Sequence, residues 1–168
     1  VSDHDRTLVL MRHAKSAYPE GVADHDRPLA PRGQREAGLA GDWLRGQLPT
    51  IDLVLCSTAT RTRETLARTG IDAPVRYVDR LYDSTPGIVI DEINGVGDEV
   101  RTLLVVGHEP TTSALALALA DPETTNSDAA ERISMKFPTS AMAMLRLNGS
   151  WADLELGSAQ LVDFHVPR

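Results

Sequence analysis

Two histidines each follow an apolar run. Arg12-His13 comes after "LVLM", and Gly107-His108-Glu109 comes after "LLVV". Between them the stretch "CSTATRTRET" at 56–65 carries Arg61 and Arg63. A neutral imidazole can attack an electrophile or move a proton. A guanidinium offers a planar fork of donors that matches an anionic oxygen pair. A single histidine at the end of an apolar run is usually a satisfied polar group. Two of them, in order with two arginines, describe a site for an anion with a nucleophile or proton carrier in it.

Such a site needs elements to assemble it. Runs 7–11, 51–55, 75–78 and 102–106 are short, apolar and rich in β-branched residues or leucine, and predict strands. Helical patterns lie between them. After Pro31, which suits a first helical turn, Ala37, Ala40, Leu44 and Leu48 form a stripe. A second helix is expected over 59–69 with Ser57 or Thr58 as its N-cap, and a third within 85–95. A fourth follows Pro110, with Leu115, Ala118 and Leu119 on one side, and stops near Asp121-Pro122. Residues 141–147 and 151–156 alternate about Asn148-Gly149-Ser150, which predicts a terminal hairpin. The fold expected is α/β: a three-layer α/β/α sandwich with a mostly parallel central sheet and an antiparallel C-terminal hairpin. In open sheets of this kind ligands bind beyond the carboxyl ends of the strands. Three of the four predicted strand ends present Arg or His, and the other presents Asp83.

The whole chain bounds what that site can be. Its 168 residues suit one domain, 1–168, able to bury a core without disulfides or metal. The formal charge of -7 argues against nucleic acid or an anionic membrane as a partner, so any anionic ligand depends on a local cationic cluster. Cys56 is the single cysteine, which excludes an internal disulfide and a cysteine-based metal site and fits a reducing cytoplasm. The start has no signal-like pattern, and the apolar stretch 114–120 is too short to span a bilayer. No metal-ligand spacing stands out, and no metal or cofactor is expected.

"LVLMRHAKS", "CSTATRTRET" and "LVVGHEP" together resemble the motifs of the histidine phosphatase superfamily, in that family's order. "DHDRPLAPRG" at 24–33 resembles a segment of its short bacterial SixA-like members. The likeness runs from about residue 7 to about residue 147. It implies a phosphoglycerate mutase-like fold and a phosphatase that works through a covalent phosphohistidine. By resemblance and position His13 is the nucleophile, with its second ring nitrogen held by a backbone carbonyl. Arg12 and Arg61 bind the phosphoryl oxygens, and His108 donates to one of them. The helix start after Pro110 adds partial positive charge.

Other residues are less determined. Ser16 and Lys15 follow the nucleophile and are candidates to touch phosphate. Arg27 either lines the mouth of the pocket or ties the 24–33 loop. Arg63 reads as solvated. Larger relatives carry a general acid after the third strand; here Asp83 is the nearest equivalent, Glu109 is a second candidate, and Asp83 could instead cap the next helix. The "DHDR" at 3–6 repeats that at 24–27 and reads as a solvated terminus. His4, His25 and His165 have no supporting context. The polar stretch 121–134 is a candidate to flank the pocket. With little chain to spare for a lid, the expected substrate is phosphohistidine on a protein. A small phosphate ester is the alternative, and a non-catalytic phosphate-binding module or a mutase is disfavoured. Oligomeric state is not legible.

Overall fold

The computed structural model describes residues 5–168. Strands β1 (Arg6–Arg12), β2 (Leu53–Ser57), β3 (Val75–Val78), β4 (Thr102–Gly107), β5 (Met142–Leu147) and β6 (Gln160–His165) form one sheet in the order β3-β2-β4-β1-β5-β6. Neighbours among β1 to β4 run parallel, whereas β5 is antiparallel to both β1 and β6. Helices α1 (Pro31–Gln47), α2 (Thr60–Thr69), α3 (Pro86–Asn94), α4 (Thr111–Leu119) and α5 (Ser127–Met135) complete the fold.

Alternation along β1 explains the layers, because successive side chains leave opposite faces of a strand. Leu8 and Leu10 pack with Val89 and Ile93 of α3, Leu115 and Leu119 of α4, and Ile133 of α5. Val9 and Met11 pack with Ala40 and Leu44 of α1 and Leu66 of α2. A sheet covered on both faces needs continuous apolar strands, and β1, β2 and β4 have them. Among the described residues no helix is long and apolar enough to cross a membrane.

Several sequence expectations change. The last strand is β6, not 151–156. Trp151–Asp153 is a turn of 3-10 helix instead, because the Trp151 side chain is fully buried and its indole N–H donates to Val100 O at 2.7 Å. The β5–β6 pairing is antiparallel as expected, but the connection between them is long and not a tight Asn-Gly turn. The stretch 121–134 is no loop at the pocket: it folds largely into α5, capped by Asn126 and packed on β6 and α4. In α4 the buried face is Leu115, Ala116 and Leu119, with Ala118 half-buried. The N-cap residue of α2 is Ala59; the Ser57 hydroxyl accepts from Ala59 N–H at 3.3 Å, ahead of the helix, and meets His108. Of the first "DHDR", Asp3 and His4 lie outside the described residues. Arg6 is buried rather than solvated, and its guanidinium donates to Gly149 O and Asp98 O.

Helix α1 is seated against the segment after β1. Any Cβ at Gly33 would sit well inside contact distance of the Lys15 carbonyl, and at Gly41 it would meet the Thr69 carbonyl of α2 in the same way. Backbone in both places leaves no room to give. Gly33→Ala is therefore expected to displace the 13–16 segment and cut kcat/KM about tenfold or more, with destabilisation of about 1–3 kcal/mol. Steady-state kinetics and a urea titration check both.

Candidate active site

Strands β1 and β4 are adjacent and in register, with Arg12 opposite Gly107. The residues that follow, His13 and His108, therefore emerge side by side. Their ring centroids lie 5.3 Å apart with the planes tilted by 57°. The His13 backbone is fixed from three directions. Its N–H donates to Gly107 O at 3.0 Å, its carbonyl accepts from Ser140 N–H at 3.1 Å, and the next N–H, of Ala14, donates to Thr65 Oγ1 at 2.9 Å.

The His13 ring is set by one hydrogen bond. Its Nδ1 lies 2.7 Å from Ala14 O. A carbonyl can only accept, so Nδ1 carries the proton and Nε2 keeps its lone pair. Burial pushes the His13 pKa down to about 4; the Ala14 carbonyl acts against this, and the charges of Arg61, Arg12 and Arg27 add to it. His108 is pushed down to about 3 by burial first and then by His13 and Arg61. Both rings are neutral at pH 7. His108 Nε2 is 2.8 Å from Ser57 Oγ at the end of β2, and its Nδ1 is buried without a partner among the described residues.

Two arginines bound this pair. Arg12 donates through Nη1 to Phe137 O at 2.9 Å, in the segment that leaves α5. Arg61, in the first turn of α2, is 7% exposed and donates through Nη1 to Asp24 O at 2.7 Å and through Nη2 to Asp24 Oδ2 at 3.1 Å. Among the described residues the Nε atoms of Arg12 and Arg61 are both buried with no partner. Buried guanidinium donors left unpaired are costly in a folded protein. Together with His108 Nδ1 they equip this end of the sheet to hold an oxyanion.

Residues 8–93 match the histidine phosphatase superfamily (branch 1), a span that includes Arg12, His13 and Arg61. The chain belongs to that superfamily. Among its relatives, Rv1276c of Mycobacterium tuberculosis, an uncharacterized protein, is 72% identical over 158 residues, covering 94% of this chain and 100% of that one. Phosphohistidine phosphatase SixA of Escherichia coli is 31% identical over 150 residues, covering 85% and 86%. A solved structure from Nakamurella multipartitia, whose assignment as a phosphohistidine phosphatase SixA is provisional, superposes with a TM-score of 0.89 at 44% identity, covering 97% of this chain and 96% of that one. The six-stranded sheet and its helices are thus the phosphoglycerate mutase-like fold of the histidine phosphatases.

Against this superfamily framework the remaining candidates separate. Ser16 is buried and accepts from Arg27 Nη1 at 2.9 Å. Arg27 also pairs through Nε with Asp24 Oδ1 at 3.0 Å and lies over the Tyr18 ring, 4.0 Å from its centroid. Arg27 thus ties the 16–27 loop while its charge acts on His13. Lys15 lies beside Tyr18. Arg63 is exposed over the Tyr77 ring. His165 stacks on Trp43, with ring centroids 4.4 Å apart. The Cys56 thiol is buried, and its pKa is pushed up to about 12 by that burial, so it is no nucleophile.

Among the described residues neither acid candidate hydrogen-bonds to the histidine pair, although the Glu109 charge acts on Arg12. Asp83 is exposed in a left-handed backbone conformation, with φ 51°, and makes no hydrogen bond or ion pair among the described residues. It does not cap α3 either: Thr85 Oγ1 accepts from Ile88 N–H. The Glu109 carboxylate accepts from Ser113 N–H at 2.6 Å and Ser113 Oγ at 2.7 Å, closing the first turn of α4. The α4 amides of Thr112, Ser113 and Ala114 donate within the chain, to His108 O, Glu109 Oε1 and Pro110 O. Among the described residues no cluster of three His, Cys, Asp or Glu is placed to hold a metal ion.

Three neighbours escaped the sequence reading. Asp24 is the partner of Arg61 and Arg27. The Tyr82 hydroxyl donates to Asp24 Oδ2, and the Tyr82 ring meets His108 edge-on at 5.5 Å. His25 packs against Tyr82 at 4.8 Å and its Nε2 is 3.1 Å from Thr58 Oγ1. The one signal in "DHDRP" at 24–28 is that Asp24 sits three residues before Arg27; nothing in the spacing pairs it with Arg61.

The depressed histidines have a cost for stability. Unfolded, each takes up a proton near pH 6.5; folded, His13 does so at about 4 and His108 at about 3. Between those values the unfolded chain binds more protons, so stability rises with pH through the window and falls as pH drops below about 6.5. The urea midpoint is expected to decline from pH 7 to pH 4.5, a loss on the order of 5 kcal/mol from the two groups together. His108→Gln, which cannot titrate, should show a shallower decline in the same titration.

Proposed function

We propose that this protein is a metal-independent phosphatase that takes a phosphoryl group onto His13 and releases it to water, with phosphohistidine on another protein as its substrate. The observation that carries the reading is the His13 tautomer: Nδ1–H is tied to Ala14 O, so the Nε2 lone pair is free beside Arg12 and Arg61, whose Nε atoms are buried. In the first step Nε2 attacks phosphorus, and the bond from phosphorus to the leaving group breaks with its electron pair. His13 becomes a phosphoimidazolium whose Nδ1–H still donates to Ala14 O. Arg12 and Arg61 balance the charge spread over the phosphoryl oxygens. With the Ser57 hydroxyl donating to Nε2, His108 carries its proton on Nδ1 and offers it to a further oxygen. Water then attacks phosphorus, the P–N bond breaks, its pair returns to Nε2, and phosphate leaves. Two fixed guanidinium groups supply the charge neutralisation, so no step requires a metal ion.

The surroundings of the two acid candidates support this substrate class. An alkoxide is a poor leaving group and benefits strongly from proton donation. Imidazole, with a pKa of about 6.5, leaves without it. Among the described residues neither Asp83 nor Glu109 hydrogen-bonds to the histidine pair, and the Glu109 carboxylate is held by Ser113, which supports a P–N bond as the natural target. The likeness to SixA of Escherichia coli, a phosphohistidine phosphatase by name, supports the same reading. The test is kcat/KM on a phosphohistidine-bearing protein against an alkyl phosphate. A preference for phosphohistidine of tenfold or more, about 1.4 kcal/mol, is expected. The opposite preference would make the protein a phosphomonoesterase of small esters.

A further inference from the structure

Asp24 places a negative charge where the cationic cluster should be accepting one. Its Oδ2 receives both Arg61 Nη2 and the Tyr82 hydroxyl, and its Oδ1 receives Arg27 Nε. The Asp24 side chain nevertheless remains 56% exposed. Each carboxylate oxygen can accept two hydrogen bonds, so Oδ1 keeps one lone pair open to a ligand. Three donors hold the carboxylate ionised: Tyr82 foremost, then Arg61 and Arg27 depress its pKa to about 2. It is therefore not a proton donor. Through Tyr82 it reaches the His108 side of the histidine pair, and its charge acts on His108.

Resting on the phosphohistidine reading above, we infer that Asp24 is a specificity-determining residue that accepts a hydrogen bond from the distal ring N–H of the substrate's phosphoimidazole and so keeps that ring cationic. The proton accounting makes this useful. In a phosphoimidazolium one ring nitrogen bears phosphorus and the other bears hydrogen. When His13 Nε2 attacks, the P–N bond breaks and its pair goes to the ring nitrogen that held phosphorus. The ring departs as neutral imidazole, with its distal proton never moved. Without that proton it would depart as an imidazolate anion. A fixed carboxylate thus does for a P–N bond what a carboxylic acid does for a P–O bond. It holds a proton already on the substrate, where the acid would have to deliver one. The same charge repels a phenolate or alkoxide as it forms, so the residue selects between the two classes.

The experiment compares kcat/KM for phosphoimidazole and for p-nitrophenyl phosphate in the wild type, Asp24→Asn and Asp24→Glu. The ratio of the two is the readout. Asp24→Asn is expected to lower the phosphoimidazole-to-phenyl-ester ratio by about tenfold or more, the scale of one lost charge-assisted hydrogen bond. Asp24→Glu, which retains the carboxylate, is expected to recover part of that ratio. Equal losses on both substrates in Asp24→Asn would mean that Asp24 merely positions Arg61, and would overturn the inference. So would an unchanged ratio without any loss. A wild type that hydrolyses the phenyl ester but not phosphoimidazole would instead sink the phosphohistidine reading itself, and the inference with it.

Discussion

Replacing His13 with alanine is expected to abolish turnover, lowering kcat by at least about four orders of magnitude, the scale seen when a covalent nucleophile is removed. The expectation follows from how completely the fold commits this side chain. Register between β1 and β4 places it, Gly107, Ser140 and Thr65 fix the backbone around it, and Ala14 O selects the tautomer. Among the described residues no second nucleophile is at hand, since His108 Nε2 is engaged by Ser57 and the Cys56 thiol is buried. Folding should survive, because a ring held neutral by burial contributes little that alanine forfeits. Burst and steady-state kinetics on a phosphorylated substrate, with circular dichroism to confirm the fold, check it. Near wild-type turnover would move the nucleophile elsewhere.

Arg61→Ala carries the second largest effect, a loss of about 2–4 kcal/mol in transition-state stabilisation, or about 30- to 1,000-fold in kcat/KM. Arg61 is buried, its Nε lacks a partner among the described residues, and its other edge is fixed by the carbonyl and carboxylate of Asp24. That clamp aims the guanidinium before any substrate arrives. Arg61→Lys should recover little, since an ammonium cannot both keep the two Asp24 contacts and present a fork to the phosphoryl group. Competitive inhibition by vanadate should weaken in parallel in both variants. Unaltered vanadate inhibition in Arg61→Ala would remove Arg61 from the anion site.

The chain reveals some of this directly and hides the rest for physical reasons. Strands β1, β2 and β4 are buried on both faces, so they read as continuous apolar runs. Their carboxyl ends, and with them Arg12, His13 and His108, follow from that reading. Strand β6 does not announce itself, because it mixes Gln160 and Asp163 with Leu161 and Phe164 along a sheet edge. Residues 151–156 imitate a strand by alternating, yet Trp151 and Leu154 are apolar because they plug the core from a turn. Asp24 is hidden for a different reason. Its meeting with Arg61 spans 37 residues and its meeting with Tyr82 spans 58. Such pairs are products of the assembled sheet and leave no periodicity. Asp83 shows the reverse case: it occupies the expected place in the sequence, but a left-handed turn leaves it exposed, one residue past Tyr82, which does reach the site.

The central claim is that the phosphoryl group passes through His13. It is tested most directly by mixing the protein with a phosphorylated substrate, quenching with alkali within one turnover, and mapping the modified residue by mass spectrometry. Phosphohistidine is stable to alkali and labile to acid, so the adduct survives the quench. The expected result is a single acid-labile phosphoryl group on the peptide containing His13, absent from His13→Ala. A phosphoryl group on His108, or full turnover with no labelled peptide at any quench time, would contradict the account.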